Sequence, residues 1–215
     1  MVRPTQASVT VPTETRLLDA AERLFGASGL HGVILADVAA VAGITRPSLL
    51  YHFPTKEVLY LAVLRRGFGE IRSLVVQSVR IDDTLEARID RLIDRLVAFV
   101  AERRGVVELT LRALVTADDP GHGVTAEELA GLVGALEMAV ISAGANATLA
   151  RAALLQIVSA YLVRAAAGEV GERLWREDRT RELAHLLLGT PADPRAEKVV
   201  KTAPPKSPRK STPKA

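Results

Sequence analysis

The chain has 215 residues, 48% apolar and 25% charged, with no cysteine. That excludes disulfides and thiolate metal sites and allows one or two compact domains. The formal charge of +3 is uneven: from Arg195 onward seven Lys or Arg oppose Glu197 alone, which leaves the first 194 residues at −3 with Lys56 as their one lysine. Any basic face on the body must therefore be local.

The chain reads as all-α, because period-2 alternation and β-branched clusters between turns are missing. Residues 1 to 12 are a polar, Pro-containing arm without the apolar core of a secretory leader. Thr13 is the expected N-cap of a first helix, with Glu14 in its first turn and Leu17, Leu18, Ala21, Leu24, Phe25 and Ser28 on one stripe up to a stop at Gly29. A second helix is expected from Leu35 to Ala42, ended by Gly43, and a third from Arg46 to Phe53. Pro54 breaks the chain, and Thr55 caps a long fourth helix from Lys56 to Val79.

Five more helices are expected near residues 84 to 103, 105 to 117, 125 to 143, 148 to 167 and 178 to 188. They are separated at Asp82-Asp83, Gly105, Asp118 to Gly123, Gly144 to Ala147 and Gly168 to Gly171. The longest apolar stretch, 152 to 167, is interrupted by Gln156 and Arg164, so no span is assigned and the protein is expected in the cytoplasm. From residue 190 to 215 the chain is rich in Pro, Lys, Ser and Ala and reads as a disordered basic tail.

Residues 35 to 53, LADVAAVAGITRPSLLYHF, carry the functional signal. Two short helices meet at Gly43, which suits a left-handed turn. Thr45 can cap the second by accepting from the Ser48 amide, and Pro47 falls in the first turn, where a missing N–H is harmless. This is a helix-turn-helix. In its second helix Leu49, Leu50 and Phe53 turn inward, leaving Arg46, Pro47, Ser48, Tyr51 and His52 outside. Arg46 can donate twice to guanine or pair with phosphate. Ser48 can reach a base edge or a phosphate, and Pro47 a thymine methyl. Tyr51, His52 and Lys56 suit the DNA backbone, which fixes register without reading sequence.

Residues 13 to 60 resemble the DNA-binding region of the tetracycline-repressor (TetR) family, in LLDAAERLFGASG, in LADVAAVAGITRPSLLYHFPTKEVL and in their spacing. The resemblance covers about a quarter of the chain. It implies nine or so helices per subunit, a homodimer, a palindromic double-stranded operator and a C-terminal pocket for a small-molecule effector. It also places Thr45, Arg46, Pro47, Ser48, Tyr51, His52 and Lys56 at DNA. Three departures stand out. Leu50 occupies a position usually held by Tyr, Val33 and Ile34 stand where Thr or Ser usually opens the second helix, and Ala36 replaces a frequent basic residue. The domains implied are an arm (1–12), a DNA-binding head (13–55), a ligand-binding and dimerisation domain (56–189) and the tail (190–215).

Beyond the head the argument rests on pattern. The helix at 148 to 167 is apolar almost all round and must be covered on two sides. With the last helix it can form a four-helix dimer interface, for which Leu154, Ile157, Val158, Leu162, Leu183, Leu186 and Leu187 are the candidates. A monomer with a deep core is the alternative. For an effector pocket, the scarce aromatics Phe68, Phe99 and Tyr161 and the arginines Arg72, Arg103 and Arg112 are the candidates, against ordinary core and surface roles. Gly67 and Gly69 read as sites of close packing or bending in the fourth helix.

Catalysis finds no support. His31, His52, His122 and His185 lack metal-ligand spacing, and no phosphate loop or nucleophile elbow occurs. No metal and no cofactor are expected. The reading is a DNA-binding transcription regulator, a repressor released by a small molecule. A ligand-independent nucleoid-type binder relying on the tail, and a small-molecule enzyme, are the alternatives.

Overall fold

The computed structural model describes residues 11–80, 84–175 and 178–189, which form nine helices and no strand among them. In chain order these are α1 (Thr13–Ser28), α2 (Leu35–Val41), α3 (Arg46–His52), α4 (Lys56–Ser78), α5 (Leu85–Glu102), α6 (Arg104–Val115), α7 (His122–Ile141), α8 (Ala150–Leu174) and α9 (Thr180–Gly189). The N-terminal arm through residue 10, the Asp82-Asp83 break and the tail from residue 190 lie outside the described residues.

Local chemistry sets most boundaries. Gly29 (φ 68°) ends α1 with its N–H on the Phe25 carbonyl at 2.7 Å, and Gly43 (φ 67°) makes the turn between α2 and α3. Thr55 Oγ1 accepts from the Val58 amide at 3.2 Å and starts α4. Three expectations change. Thr13 is the first helical residue rather than the cap; Pro12 holds the cap position, and Thr13 Oγ1 accepts from Arg16 Nη2 at 3.3 Å. α7 begins at His122, because the Asp119 carboxylate accepts from the Gly121 amide at 2.7 Å and turns the chain early. α8 does not stop at Gly168. It continues to Leu174 across a kink in which Gly168 adopts φ 53°, ψ −128°, a backbone that a Cβ would strain.

Two apolar cores result. One joins α1, α2 and α3 to the N-terminal half of α4 as far as Phe68 and to Leu109 and Ala113 of α6. The other lies among α4, α5, α7, α8 and α9, and Ile71 of α4 packs against both. α4 therefore runs from the head into the second core.

α6 is the second link. A Cβ on Gly26 of α1 would lie 2.9 Å from the Gly105 Cα, so the two backbones touch through paired glycines. Beside them the Glu22 carboxylate of α1, 8% exposed, accepts from Arg66 of α4 at 2.8 Å and from Arg103, at the α5–α6 junction, at 2.6 Å. Arg103 also pairs with Glu70 of α4 at 2.8 Å.

Candidate nucleic-acid interface and effector cavity

α3 is positioned from below and from its start. Leu49 and Phe53 are buried and Leu50 packs against the same core, so the helix is pinned along one side. Thr45 Oγ1 accepts from the Ser48 amide at 3.3 Å, and Pro47 lies in the first turn. The other side faces outward. Arg46, Pro47 and His52 are exposed and Ser48 is half-buried. Tyr51 is 86% exposed, with its ring edge-on to that of His52 at 5.5 Å between centroids. An aromatic so fully in water has no packing role and leaves its hydroxyl and ring edge for a partner.

Lys56 is half-buried, and its ammonium donates to the Val33 carbonyl at 3.1 Å, fixing the loop before α2. Two of its three donors remain. The outer side of α2 presents Ile34, Ala36, Asp37 and Ala40, without a cation. Between Thr13 and Lys56 four basic residues meet four acidic ones. Two of those acids, Asp19 and Glu22, are paired with Arg66, so Arg46 acts in a less acidic field than the count suggests.

α4 is held from its far side. Tyr60, fully buried, donates to the Asp119 carboxylate at 3.0 Å, tying α4 to the loop before α7. Burial first, and the Asp119 charge second, push its phenol well above the ordinary range, so it is a permanent donor. Gly67 lets Val106 of α6 sit on α4: a Cβ there would be 2.4 Å from Val106 Cγ1. Gly69 has no neighbour within 4 Å, so close packing applies to Gly67 alone.

Between the helices of the second core lies a cavity of about 80 Å³ with walls from α4 to α9. Phe68 and Phe99 line it. The other pocket candidates do not, because their polar groups are engaged elsewhere. Arg72 pairs with Glu128 on the surface, Arg103 with Glu22 and Glu70, and Arg112 lies over Gly29 at the end of α1. Tyr161 lines a separate cleft with Arg104 and Arg164. Sequence reasoning passed over Arg95, Val106, Val107 and Thr110, which do line the cavity. The first could have been found from its position four residues before Phe99 on the same helix, α5.

The dimer candidates divide. Leu154, Ile157 and Val158 are buried in their own subunit's core, and Leu162 and Leu187 pack against it. Leu183 and Leu186 are exposed. The outward stripe of α8 is instead Ala152, Leu155, Gln156, Ser159, Val163 and Ala166, one helical face by spacing. By length and mean hydropathy (1.3) α8 is long and apolar enough to cross a membrane, contrary to expectation, yet its other side packs on α6, α7 and α9.

Residues 17–63 match the model of bacterial regulatory proteins of the tetR family. The head is a tetR-family domain. Over 50 residues it is 48% identical to the HTH-type transcriptional regulator RutR of Escherichia coli K12, a match covering 23% of this chain and 24% of that protein. The chain is 38% identical over 79 residues to the HTH-type transcriptional repressor KstR2 of Rhodococcus jostii RHA1, covering 35% of this chain and 39% of that one. The sequence match thus spans about a quarter to two fifths of these tetR-family relatives. The fold match is wider. A TetR-like transcriptional regulator from Rhodococcus sp. RHA1 superimposes with a TM-score of 0.68 over 84% of this chain and 100% of its own, at 20% identity. The α4–α9 region therefore has a tetR-type fold as well.

Proposed function

We propose that this chain is a homodimeric transcription regulator that binds a palindromic operator through α3 and is released by a small molecule in the α4–α9 cavity. The observation that carries the reading is the outward side of α3. Its five polar or small residues face away from a helix whose other side is fully used in packing. Arg46 and Ser48 supply base-edge donors, while Tyr51, His52 and Lys56 hold the phosphates.

A palindrome needs two heads. The α8 stripe of Ala152, Leu155, Gln156, Ser159, Val163 and Ala166, with Leu183 of α9, is mostly small or apolar surface on helices already packed on their other side, which suits an isologous four-helix contact. Such a pair can set two α3 helices about 34 Å apart, one turn of DNA.

Release follows from α6. Val106, Val107 and Thr110 line the cavity, while Gly105 on the same helix touches Gly26 of α1. A molecule that fills the cavity displaces α6, and the glycine contact and the Glu22–Arg103 pair pass that displacement to the head. A coupling of about 1–3 kcal/mol lowers operator affinity roughly 5- to 150-fold. Repression by occupancy is the simplest output of such a device.

The test is selection of bound fragments from genomic DNA followed by footprinting. Two inverted half-sites centred about one helical turn apart are expected. Protection without a recurring sequence would favour the nucleoid-type binder and remove the regulator.

A further inference from the structure

We infer that α1 belongs to the DNA interface, with Arg16 gripping a backbone phosphate at the opposite end of α3 from Lys56. The inference rests on the reading that α3 enters a groove of DNA, and it adds a contact from outside the helix-turn-helix.

Arg16 is the fourth residue of α1 and is half-buried. Its Nη2 donates to Thr13 Oγ1 at 3.3 Å, a long bond to a neutral acceptor. Its Nε is buried and has no partner among the described residues. No carboxylate pairs with it among them either, because those within reach along the chain are turned away or taken. Glu14 is two positions off and does not share its side of the helix. Asp19, three positions on, is held by Arg66 at 2.7 Å. Residues 1 to 12 contain no Asp or Glu at all. A guanidinium drawn partly out of water without a counter-charge is costly until an anion arrives.

The fold puts this cation beside the helix-turn-helix. Its Nη1 lies 3.8 Å from where a Cβ on Gly43 would stand, and Gly43 makes the turn between α2 and α3, three residues before Arg46. Lys56 stands just past the other end, three residues after Phe53 closes α3. The seven residues of α3 span about 10 Å, and the major groove is about 12 Å wide. Two cations therefore bracket a helix of about the width of the groove, whose edges are phosphates. One at each end suits one phosphate on each strand, which fixes the docking of α3 from both sides without reading sequence. Three of the four basic residues between Thr13 and Lys56 are thus gathered around α3, and among the described residues none of the three is spent on an ion pair. That arrangement lets a head with as many acids as bases hold a polyanion.

Anisotropy titrations of the full chain over a range of salt test this on two duplexes of equal length, a fragment recovered by selection from genomic DNA and a shuffled copy of it. Arg16→Gln should weaken both roughly tenfold and leave the ratio between them unchanged. It should also reduce the slope of log affinity against log salt by about 1 per subunit. Arg16→Lys keeps the charge and should restore most of the slope. Phosphate-ethylation interference on the recovered fragment should lose one contact in each half-site, at a phosphate other than the one lost in Lys56→Gln. A purely structural role for Arg16 gives a different result: a lower thermal midpoint in both variants, with the salt slope and the interference pattern like the parent's. That result, or a loss confined to one of the two duplexes, would overturn the proposal. The regulatory reading fails separately. A parent that prefers the recovered fragment, with the same slope in Arg16→Gln, would remove the contact and keep the regulator. A parent that binds both duplexes equally, with a slope that falls in Arg16→Gln, would keep the contact and remove the regulator.

Discussion

Tyr51 makes the logic of the head visible in one residue. It sits between buried Leu49 and Phe53, yet 86% of it is exposed. Folding alone would favour a smaller or charged residue there, since an isolated exposed aromatic adds nothing to a core. Tyr51→Ala should therefore leave the thermal midpoint unchanged. It should weaken DNA binding by about 1 kcal/mol, uniformly across operator variants, as expected for a phosphate contact. Thermal melts and binding isotherms on a small operator panel check both halves. A loss confined to one base position would give Tyr51 a reading role instead.

At the scale of elements the seams are narrow. α1 meets α6 through Gly26 and Gly105, and α4 meets α6 through Gly67 and Val106. Gly26→Ala would drive a methyl into the Gly105 backbone, which cannot swing aside. Destabilisation of about 1–3 kcal/mol is expected in denaturant melts, with release by effector blunted more than operator affinity itself. α9 is tied to α5 by charge. Hydrogen bonds from Arg181 and His185 hold the Asp90 carboxyl below its ordinary range. A depressed folded-state value means that the contribution is whole above the ordinary carboxylate range and is lost as acid titrates Asp90. The melting difference between the parent and Asp90→Asn should thus be whole at neutral pH, start to shrink below about pH 4 and vanish only once acid has passed the depressed folded-state value. A constant difference across that range would show that the pair is not the cause.

The helices were legible in the sequence because caps, glycines and apolar periodicity act locally. Thr45, Thr55, Gly29 and Gly43 each do in the fold what their chemistry predicts. Thr13 lost its cap role to Pro12, a shift of one residue that intrinsic preference does not resolve, and Gly168 bends α8 where composition suggested a stop. The outward residues of α3 were legible for the same reason as the helix, since one turn of spacing decides sides. The cavity was not. Which arginines remain unpaired depends on contacts such as Glu22–Arg103, 81 positions apart, that no local pattern encodes. Leu154, Ile157 and Val158 show the same limit: an all-apolar helix does not announce which side its own subunit covers.

On the proposed reading, the molecule as a whole works only if two heads are held at a fixed spacing. Leu155 is 47% exposed in the middle of the outward stripe of α8. Leu155→Glu should leave the subunit folded, because the residue contributes little to its own core, and should shift the protein from dimer to monomer in sedimentation velocity. Operator binding should fall with it, since a single head loses the second half-site. A variant that remains dimeric would move the interface elsewhere on the surface.

The most direct measurement is a base-by-base affinity profile of the selected operator for the parent and for Arg46→Ala. Arg46 reading a base predicts a discrimination loss of about 1–3 kcal/mol at one position in each half-site, mirrored across the centre, with the remaining positions unchanged. A profile identical to the parent's, or one altered on one side only, would contradict a symmetric pair of α3 helices reading DNA.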